Sequence, residues 1–445
     1  MNKKIGFISL GCAKNLTDTE TMLGILSGEG FEITADAADS NVIVVNTCAF
    51  IDSAKEESIN AILEMAELKN GKCELLVVTG CLAQRYKDEI SASLPEVDIV
   101  LGTNDYPKIA EVIKEYYDNG SKKSSVSSEN TPVSHELPRI KSTPFYTAYL
   151  KIADGCDNFC TYCIIPKLRG KFRSRPLASI ISEAQSLAAD GVKELILVAQ
   201  DTACYGKDTG TNLPGLLKEI SKINGIEWIR LQYCYPENIT NELIDEIASN
   251  PKVVKYLDMP LQHISDNILK LMGRRSRKEQ VEKLIETLRK KIPGLCIRTS
   301  FITGFPGETQ KDFEVLKEFL NKYRIDKVGV FTYSREEGTP AYNFDCQIDE
   351  ETKEKRHHEL MSLQQGISLA VNNSRIGTLT QAIIEGYDET ELCYVGRCSF
   401  DTPDVDGTAF IYSEDELDAG DIVQIEIIDF SEYDVVGKTT GRKDE

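Results

Sequence analysis

The sequence predicts an α/β chain in three parts: an open parallel sheet, an incomplete βα barrel of six units, and a small antiparallel β-barrel. Three observations carry this expectation. Short apolar runs alternate with helical spacing along most of the chain, the pattern of parallel sheets. A stretch at 118–144, "DNGSKKSSVSSENTPVSHELPRIKSTP", lacks periodicity and is rich in Ser, Pro and Lys, so it divides the alternation as a linker. After about Ile376 the helical spacing stops, and short β-like runs with turns take over.

In chain order, the first strands are expected at 5–10 ("IGFISL"), 41–45 ("NVIVV"), 75–78 ("LLVV") and 98–101 ("DIVL"). Segments between them, such as "DSAKEESINAILEMAELK", space apolar residues at three and four. Six more strands are expected at "AYLKIA", "ELILVA", "EWIRLQ", "VVKYLD", "LCIRTSFI" and "KVGVFT", with helical patterns between them. Six such units fit a relative of the eight-unit barrel, with its active site at the strands' C-terminal ends. A helix over roughly 351–373 precedes "TQAIIEGYD", "LCYVGRC", "TAFIYS" and "DIVQIEIIDF", the runs of the last barrel. The expected domains are therefore 3–118, a linker 119–144, 145–373 and 374–442.

Composition sets bounds. At 445 residues, the chain exceeds one ordinary core. Apolar residues at 41% and charged ones at 27% describe a soluble globular protein. No uncharged apolar run approaches membrane-span length, and the start is too short in apolar residues for a signal peptide. Both points lead to a cytoplasmic protein. Thirteen cysteines then argue for reduced thiols or metal ligands rather than disulfides. The net charge of -20 argues against a chain that grips nucleic acid along its length.

Within "DGCDNFCTYCIIPKLRG" (154–170), Cys156, Cys160 and Cys163 stand at C-x3-C-x2-C, and no further cysteine follows until Cys204. They come just after the first barrel strand, hence at the barrel mouth. A zinc site takes four protein ligands, or three with histidine well represented. The nearest histidines, His135 and His263, are distant in sequence. An iron-sulfur cluster takes four thiolates. Three thiolates on a four-iron cluster leave one iron open to a small chelating ligand. A chance grouping and an unusual zinc knuckle are the competing explanations. A second set lies upstream: Cys12 in "SLGCAKN", Cys48 in "VVNTCAF" and Cys81 in "VVTGCLAQ" each follow a strand of the first sheet. Carboxyl ends of parallel strands share one edge, where ligands bind, so the three should converge. The competing explanation is three small buried hydrophobes.

The C-x3-C-x2-C loop after strand one resembles the radical S-adenosylmethionine (SAM) superfamily. That resemblance implies a 4Fe-4S cluster on Cys156, Cys160 and Cys163. SAM would chelate its open iron and be cleaved to methionine and a 5'-deoxyadenosyl radical that abstracts a substrate hydrogen. Two three-cysteine sets, a flavodoxin-like domain, a partial radical SAM barrel and a terminal β domain similar to TRAM together resemble the methylthiotransferases. This implies a second, auxiliary 4Fe-4S cluster on Cys12, Cys48 and Cys81 that supports delivery of the methylthio group. Within the family, "GCAKNLTDTE" (11–20), "MPLQHIS" (259–265) and "GRCSFDTPDVDG" (396–407) resemble the ribosomal-protein (RimO) branch. Ala13, Thr19 and the pair Cys398-Ser399 depart from its usual pattern.

Other mouth residues are weaker candidates. Arg298 and Ser300 are expected to reach the SAM carboxylate, Gln200 to lie in the SAM site, and "GFPGET" (304–309) to shape a turn against the adenine. Asp201, Gln262 and His263 share the mouth, but radical abstraction needs no base, so no catalytic residue is expected beyond the cluster ligands. Cys73, Cys204, Cys234, Cys296, Cys346, Cys393 and Cys398 are read as packing residues, and Trp228 as core.

Three functions remain. The resemblance favours methylthiolation of the β-carbon of an aspartate in small-subunit ribosomal protein twelve. A tRNA adenosine methylthiotransferase is the alternative, and a non-catalytic iron-sulfur electron carrier the third. Residues 376–442 hold sixteen acidic side chains against three basic ones, a net charge of -13. Such a domain should attract a basic ribosomal protein and repel RNA, so no stable nucleic-acid binding is expected. An electron donor such as flavodoxin or ferredoxin is the other implied partner.

Overall fold

Five parallel strands open the chain: β1 (Lys4–Ser9), β2 (Glu32–Thr34), β3 (Val42–Thr47), β4 (Leu75–Gly80) and β5 (Ile99–Leu101). They pair in the order β2-β1-β3-β4-β5, the flavodoxin-like order. The structure is a computed structural model that describes residues 3–131 and 136–442, with backbone alone at 441 and 442. His135 falls outside the described residues. β3 and β4 are buried at every position, because helices cover both faces of the sheet, and this explains their unbroken Val/Ile/Leu runs. β2 was not legible: "EIT" offers one apolar residue.

The expected linker holds no helix between Asn119 and Thr147 among the described residues, yet it is tied down. Ser125 bridges to Leu101 at the sheet edge, and the Ser124 hydroxyl accepts the Val100 N–H at 2.9 Å. The buried carboxylate of Glu20 takes the Ser142 N–H at 2.6 Å and the Arg139 guanidinium. Side chains, which carry no periodicity, do the work of secondary structure here.

The second region adds β6 (Thr147–Lys151), β7 (Ala153–Asp154), β8 (Arg173–Ser174), β9 (Glu194–Val198), β10 (Trp228–Leu231), β11 (Val253–Asp258), β12 (Cys296–Thr303) and β13 (Lys327–Thr332). Six of them form an open sheet, β13-β12-β11-β10-β9-β6, parallel throughout. These are the six strands expected. The outer face, with Leu150, Leu197, Leu231, Leu257 and Phe301, packs on helices such as Gln310–Tyr323. That helix starts with a reciprocal cap, Thr309 with Asp312. β7 and β8 form a two-residue antiparallel clamp that closes the loop between them, the loop carrying three cysteines.

Both other regions cover the inner face. Tyr149, Ile196 and Val198 meet Ala13 and Leu16 of the first helix, Ala13–Gly28. At the opposite end, where the strands begin, Tyr146, Trp228, Tyr256 and Cys296 meet Ile383, Phe400 and Ile422. The terminal region is a closed barrel of β14 (Leu379–Asp388), β15 (Cys393–Cys398), β16 (Ala409–Tyr412), β17 (Ile422–Phe430) and β18 (Val435–Arg442). Its pairings are antiparallel except one, β16 with β18, which is parallel. Its seat on the barrel is ionic as well as apolar. Glu194, fully buried, accepts from Arg230 Nε at 2.8 Å and from Arg397, and Lys327 meets Asp401. Cys73, Cys234, Cys296, Cys393 and Cys398 are buried as expected, whereas Cys346 is exposed. No helix among the described residues is long and apolar enough to cross a membrane.

Candidate active site

The first cysteine set is made by strand ends. Gly11, at φ 89°, brings Cys12 against Cys48: a Cβ there would stand 3.1 Å from the Cys48 sulfur. Gly80, at φ 94°, lets Cys81 follow β4 directly, where a Cβ would meet the Thr47 nitrogen at 2.8 Å. Only glycine tolerates that backbone and that proximity. Asn15 donates to the Leu10 and Thr47 carbonyls at 3.0 and 2.9 Å, and Asn46 to the Asn15 carbonyl at 2.9 Å. Ser58 binds both the N–H and the carbonyl of Cys48. Each thiol therefore hangs on a hydrogen-bonded frame.

The second set is made by one loop. Cys156 N–H donates to the Gly170 carbonyl and Cys163 N–H to the Cys160 carbonyl, both at 3.0 Å. Phe159, between two of the thiols, has φ 48° and is 63% exposed. The Tyr235 hydroxyl lies 3.4 Å from the Cys160 sulfur.

Charge distinguishes the thiols. Burial pushes Cys81 up to about 12, against the pull of Arg169, with Cys12 and Cys48 adding to the rise. Burial raises Cys156 to about 11 and Cys163 further, the neighbouring thiols of the loop contributing to each. Cys12 lies in a recess that solvent reaches. Desolvation by the surrounding chain opposes its ionisation, but Lys14, Arg169 and the amides of Asn15 and Lys14 outweigh it and hold the thiol below its ordinary value.

Within each set the thiols act on one another, yet among the described residues no three cysteine sulfurs lie within 4.8 Å of one another. Two thiolates on a single zinc ion stand at most about 4.6 Å apart, twice the metal–sulfur bond. A four-iron cube carries its thiolates on separate irons and spreads them wider. Donor sets of thiols alone, without histidine, suit iron-sulfur clusters.

The two sets meet. Ile164 and Leu168, just after Cys163, pack in one apolar cluster with Cys81, Leu82, Ala83 and Val78 of the first domain. Arg169, 2% exposed, donates to Asp18 at 2.8 Å, Asp154 at 3.2 Å and Asn15 at 2.9 Å, and so ties the thiol loop to the helix that Cys12 caps. Neither Arg169 nor Lys14 was singled out from sequence. Their only signal was proximity to a cysteine.

The remaining candidates separate. Gln200 donates to Asp154 at 3.0 Å and keeps its buried Oε1 without a partner. Ser300 is half-buried on β12, and its carbonyl accepts from Gln262 at 2.8 Å. The Arg298 guanidinium is held by Asp258 at 2.9 Å and lies 3.8 Å from Asp406 of the terminal barrel. Asp201 accepts from Asn158 at 3.0 Å and Asn238 at 2.6 Å. His263 is fully buried, 3.6 Å from Glu308.

Comparison with known proteins follows this division. Residues 4–102 match the uncharacterized protein family UPF0004, 150–320 the radical SAM superfamily and 376–439 the TRAM domain. The chain is 52% identical over 446 residues to the ribosomal protein uS12 methylthiotransferase RimO of Acetivibrio thermocellus, covering 98% of both. It is 54% identical over 437 residues to that of Clostridium botulinum (strain Eklund 17B / Type B), covering 98% of this chain and 97% of the other. Among solved structures, the radical SAM methyltransferase TsrM from Kitasatospora setae, with cobalamin and a [4Fe-4S] cluster bound, shares the fold. Its TM-score is 0.56 at 15% identity, with 86% of this chain and 81% of that chain covered.

Proposed function

The chain belongs to the RimO family of ribosomal protein uS12 methylthiotransferases, and from that premise we propose how its residues divide the work on an aspartate β-carbon of uS12. It is a radical SAM enzyme that uses iron-sulfur and SAM chemistry. Cys156, Cys160 and Cys163 hold the SAM-binding [4Fe-4S] cluster, and Cys12, Cys48 and Cys81 hold a second one. When bound, these groups supply one-electron chemistry, an open coordination position and a site for the sulfur. The observation that carries this reading is the packing of the thiol loop on the first domain, with Ile164 and Leu168 in one apolar cluster with Cys81.

The chain's own part is positional. Gly11 and Gly80 fix thiol spacing, and Arg169 keeps the two loops in register. The orphaned Gln200 Oε1, just past β9, and Ser300, on β12, are candidate polar contacts for SAM. Arg298, already held by Asp258, belongs instead with the contact to the TRAM domain.

The TRAM domain recruits the acceptor. Glu385, Glu389, Glu391, Glu414, Asp415 and Glu426 are exposed there, interleaved with exposed Tyr387, Leu392, Tyr412 and Tyr433. An acidic surface with aromatic anchors suits a basic protein and repels RNA. The reductant is a small electron carrier of the flavodoxin or ferredoxin kind.

The test is mass spectrometry of uS12 and of bulk tRNA from a strain lacking the chain. Loss of the aspartate mark with tRNA unchanged is expected. Loss of a methylthio mark from tRNA adenosine, with uS12 intact, refutes the reading.

A further inference from the structure

Lys14 is a buried cation at the mouth that forms no salt bridge among the described residues. It is 8% exposed, two residues past Cys12, in the first turn of the helix Ala13–Gly28. Its ammonium stands 3.4 Å from the centre of the Tyr233 ring. Among the described residues, neither a salt bridge nor a hydrogen bond engages that ammonium. The neighbouring cations are spent: Arg169 on Asp18 and Asp154, Lys151 on Asp18, Arg298 on Asp258. Ala13 and Leu16 of the same helix pack with Tyr233 against Tyr149, Ile196 and Val198, so the Lys14 ammonium lies between the first domain and the barrel. Tyr233 holds φ 59°, a strained backbone for a non-glycine residue that fixes its ring at the ammonium. A buried ammonium is costly unless an anion meets it, and among the described residues Lys14 forms no salt bridge.

We infer that Lys14 is the carboxylate-binding residue of the site, and that its ligand is the side-chain carboxylate of the acceptor aspartate. The inference rests on the uS12 reading above. The reacting β-carbon is one bond from that carboxylate, so an ammonium two residues from Cys12, between the first domain and the barrel, would hold the carbon at the mouth. Reading a charge rather than a shape also rejects asparagine, which matches aspartate in size. SAM carries a carboxylate as well, and the experiment separates the two sources.

Wild type, K14R and K14Q are reconstituted anaerobically, and iron content and visible absorbance show that each holds its clusters. Each is titrated with uS12, with uS12 whose modified aspartate is replaced by asparagine, and separately with SAM. Wild type is expected to prefer the aspartate form by about tenfold or more, the scale of one charge-assisted hydrogen bond. K14Q is expected to bind both forms alike, and K14R to restore most of the preference. An unchanged preference in K14Q overturns the inference and leaves Lys14 as a counter-charge to the thiolates. A loss seen in SAM affinity alone also overturns it. Should K14Q fail to hold its clusters, wild type still decides, because no preference for aspartate over asparagine means no carboxylate is read. Failure of the underlying reading looks different: wild type with SAM and reductant would leave uS12 unmodified.

Discussion

At its mouth the barrel gathers six thiols, the unpaired ammonium of Lys14 and three non-glycine residues with left-handed backbone, Phe159, Tyr233 and Gln262. At its base, Glu194 is met by both Arg230 and Arg397, and Trp228 and Tyr256 lie under Ile383, Phe400 and Ile422. The same six strands carry both ends. One end holds left-handed backbone and an ammonium without a salt bridge, and the other pairs its charges within the chain. Strain and unmet charge at a site persist only where the surroundings over-determine the fold, so the closed base is part of what permits the open mouth. Substitutions at the mouth should therefore remove chemistry with little loss of fold, and substitutions at the base the reverse.

The largest effect tests the mouth. Changing Cys156, Cys160 and Cys163 together to Ala should drop SAM cleavage and uS12 modification to background and remove about half of the roughly eight irons of two four-iron clusters. Changing Cys12, Cys48 and Cys81 should remove a similar share and abolish uS12 modification, yet leave 5'-deoxyadenosine measurable. The iron-free forms of both variants should melt within a few degrees of iron-free wild type. If the second variant kept all its iron, the strand-end thiols would not form a site.

The base should answer next. Glu194→Gln leaves Arg230 without a carboxylate in a buried place and Arg397 with Glu385 alone, a change of about 3–5 kcal/mol. Unfolding by denaturant should show that loss, while folded molecules of the variant cleave SAM at the wild-type rate. A variant as stable as wild type would mean that apolar contacts alone seat the TRAM domain.

The same carboxylate sets a pH dependence. Burial would raise the Glu194 carboxyl, but Arg397 and Arg230 outweigh it and hold it below the usual carboxylate range. A depressed carboxyl contributes stability above its unfolded value of about 4.3 and loses it as pH falls toward the folded value. Wild type should therefore lose thermal stability below about pH 4.3 more steeply than Glu194→Gln does. Parallel curves would remove Glu194 from the account.

These ends also differ in how far the sequence announces them. The loop triad was legible as spacing within eight residues, and the strand-end triad as a topological rule applied to three apolar runs. Strands β6 and β9 to β13 were legible as short runs rich in apolar residues set between helical patterns. The base was not. Glu194 opens a strand, Arg230 lies inside another and Arg397 sits in the third domain, so each reads alone as an ordinary surface charge. Ion pairing across 203 residues leaves no local pattern. The short strands β2, β7 and β8 were missed for a related reason, since two or three residues cannot show a period. At the mouth, Lys14 and Arg169 were hidden because long cations beside a motif normally face solvent. Only the packing of Leu168 on the first domain turns Arg169 inward.

The smallest effect concerns the outer surface of the TRAM domain, which belongs to neither end. Removing the whole domain would expose Trp228 and Tyr256 and leave Glu194 with Arg230 alone, so a deletion confounds recruitment with stability. Charge reversal at the rim avoids this. Glu389 and Glu391 lie at the turn between β14 and β15, Asp415 lies in the loop after β16, and all three are exposed. Replacing them with Lys should leave SAM cleavage unchanged, because none of them approaches the cysteines. Binding of uS12 should weaken by about tenfold at low salt, chiefly through a slower association rate, because rim charges steer encounter more than they hold the complex. Raising ionic strength screens such charges over about 10 Å at 0.1 M. Wild-type binding should thus fall with salt, and the variant's salt dependence should be flatter. Surface plasmon resonance at two salt concentrations reads both. Equal slopes would show that the acidic rim serves solubility, and that the acceptor is recognised at the mouth alone.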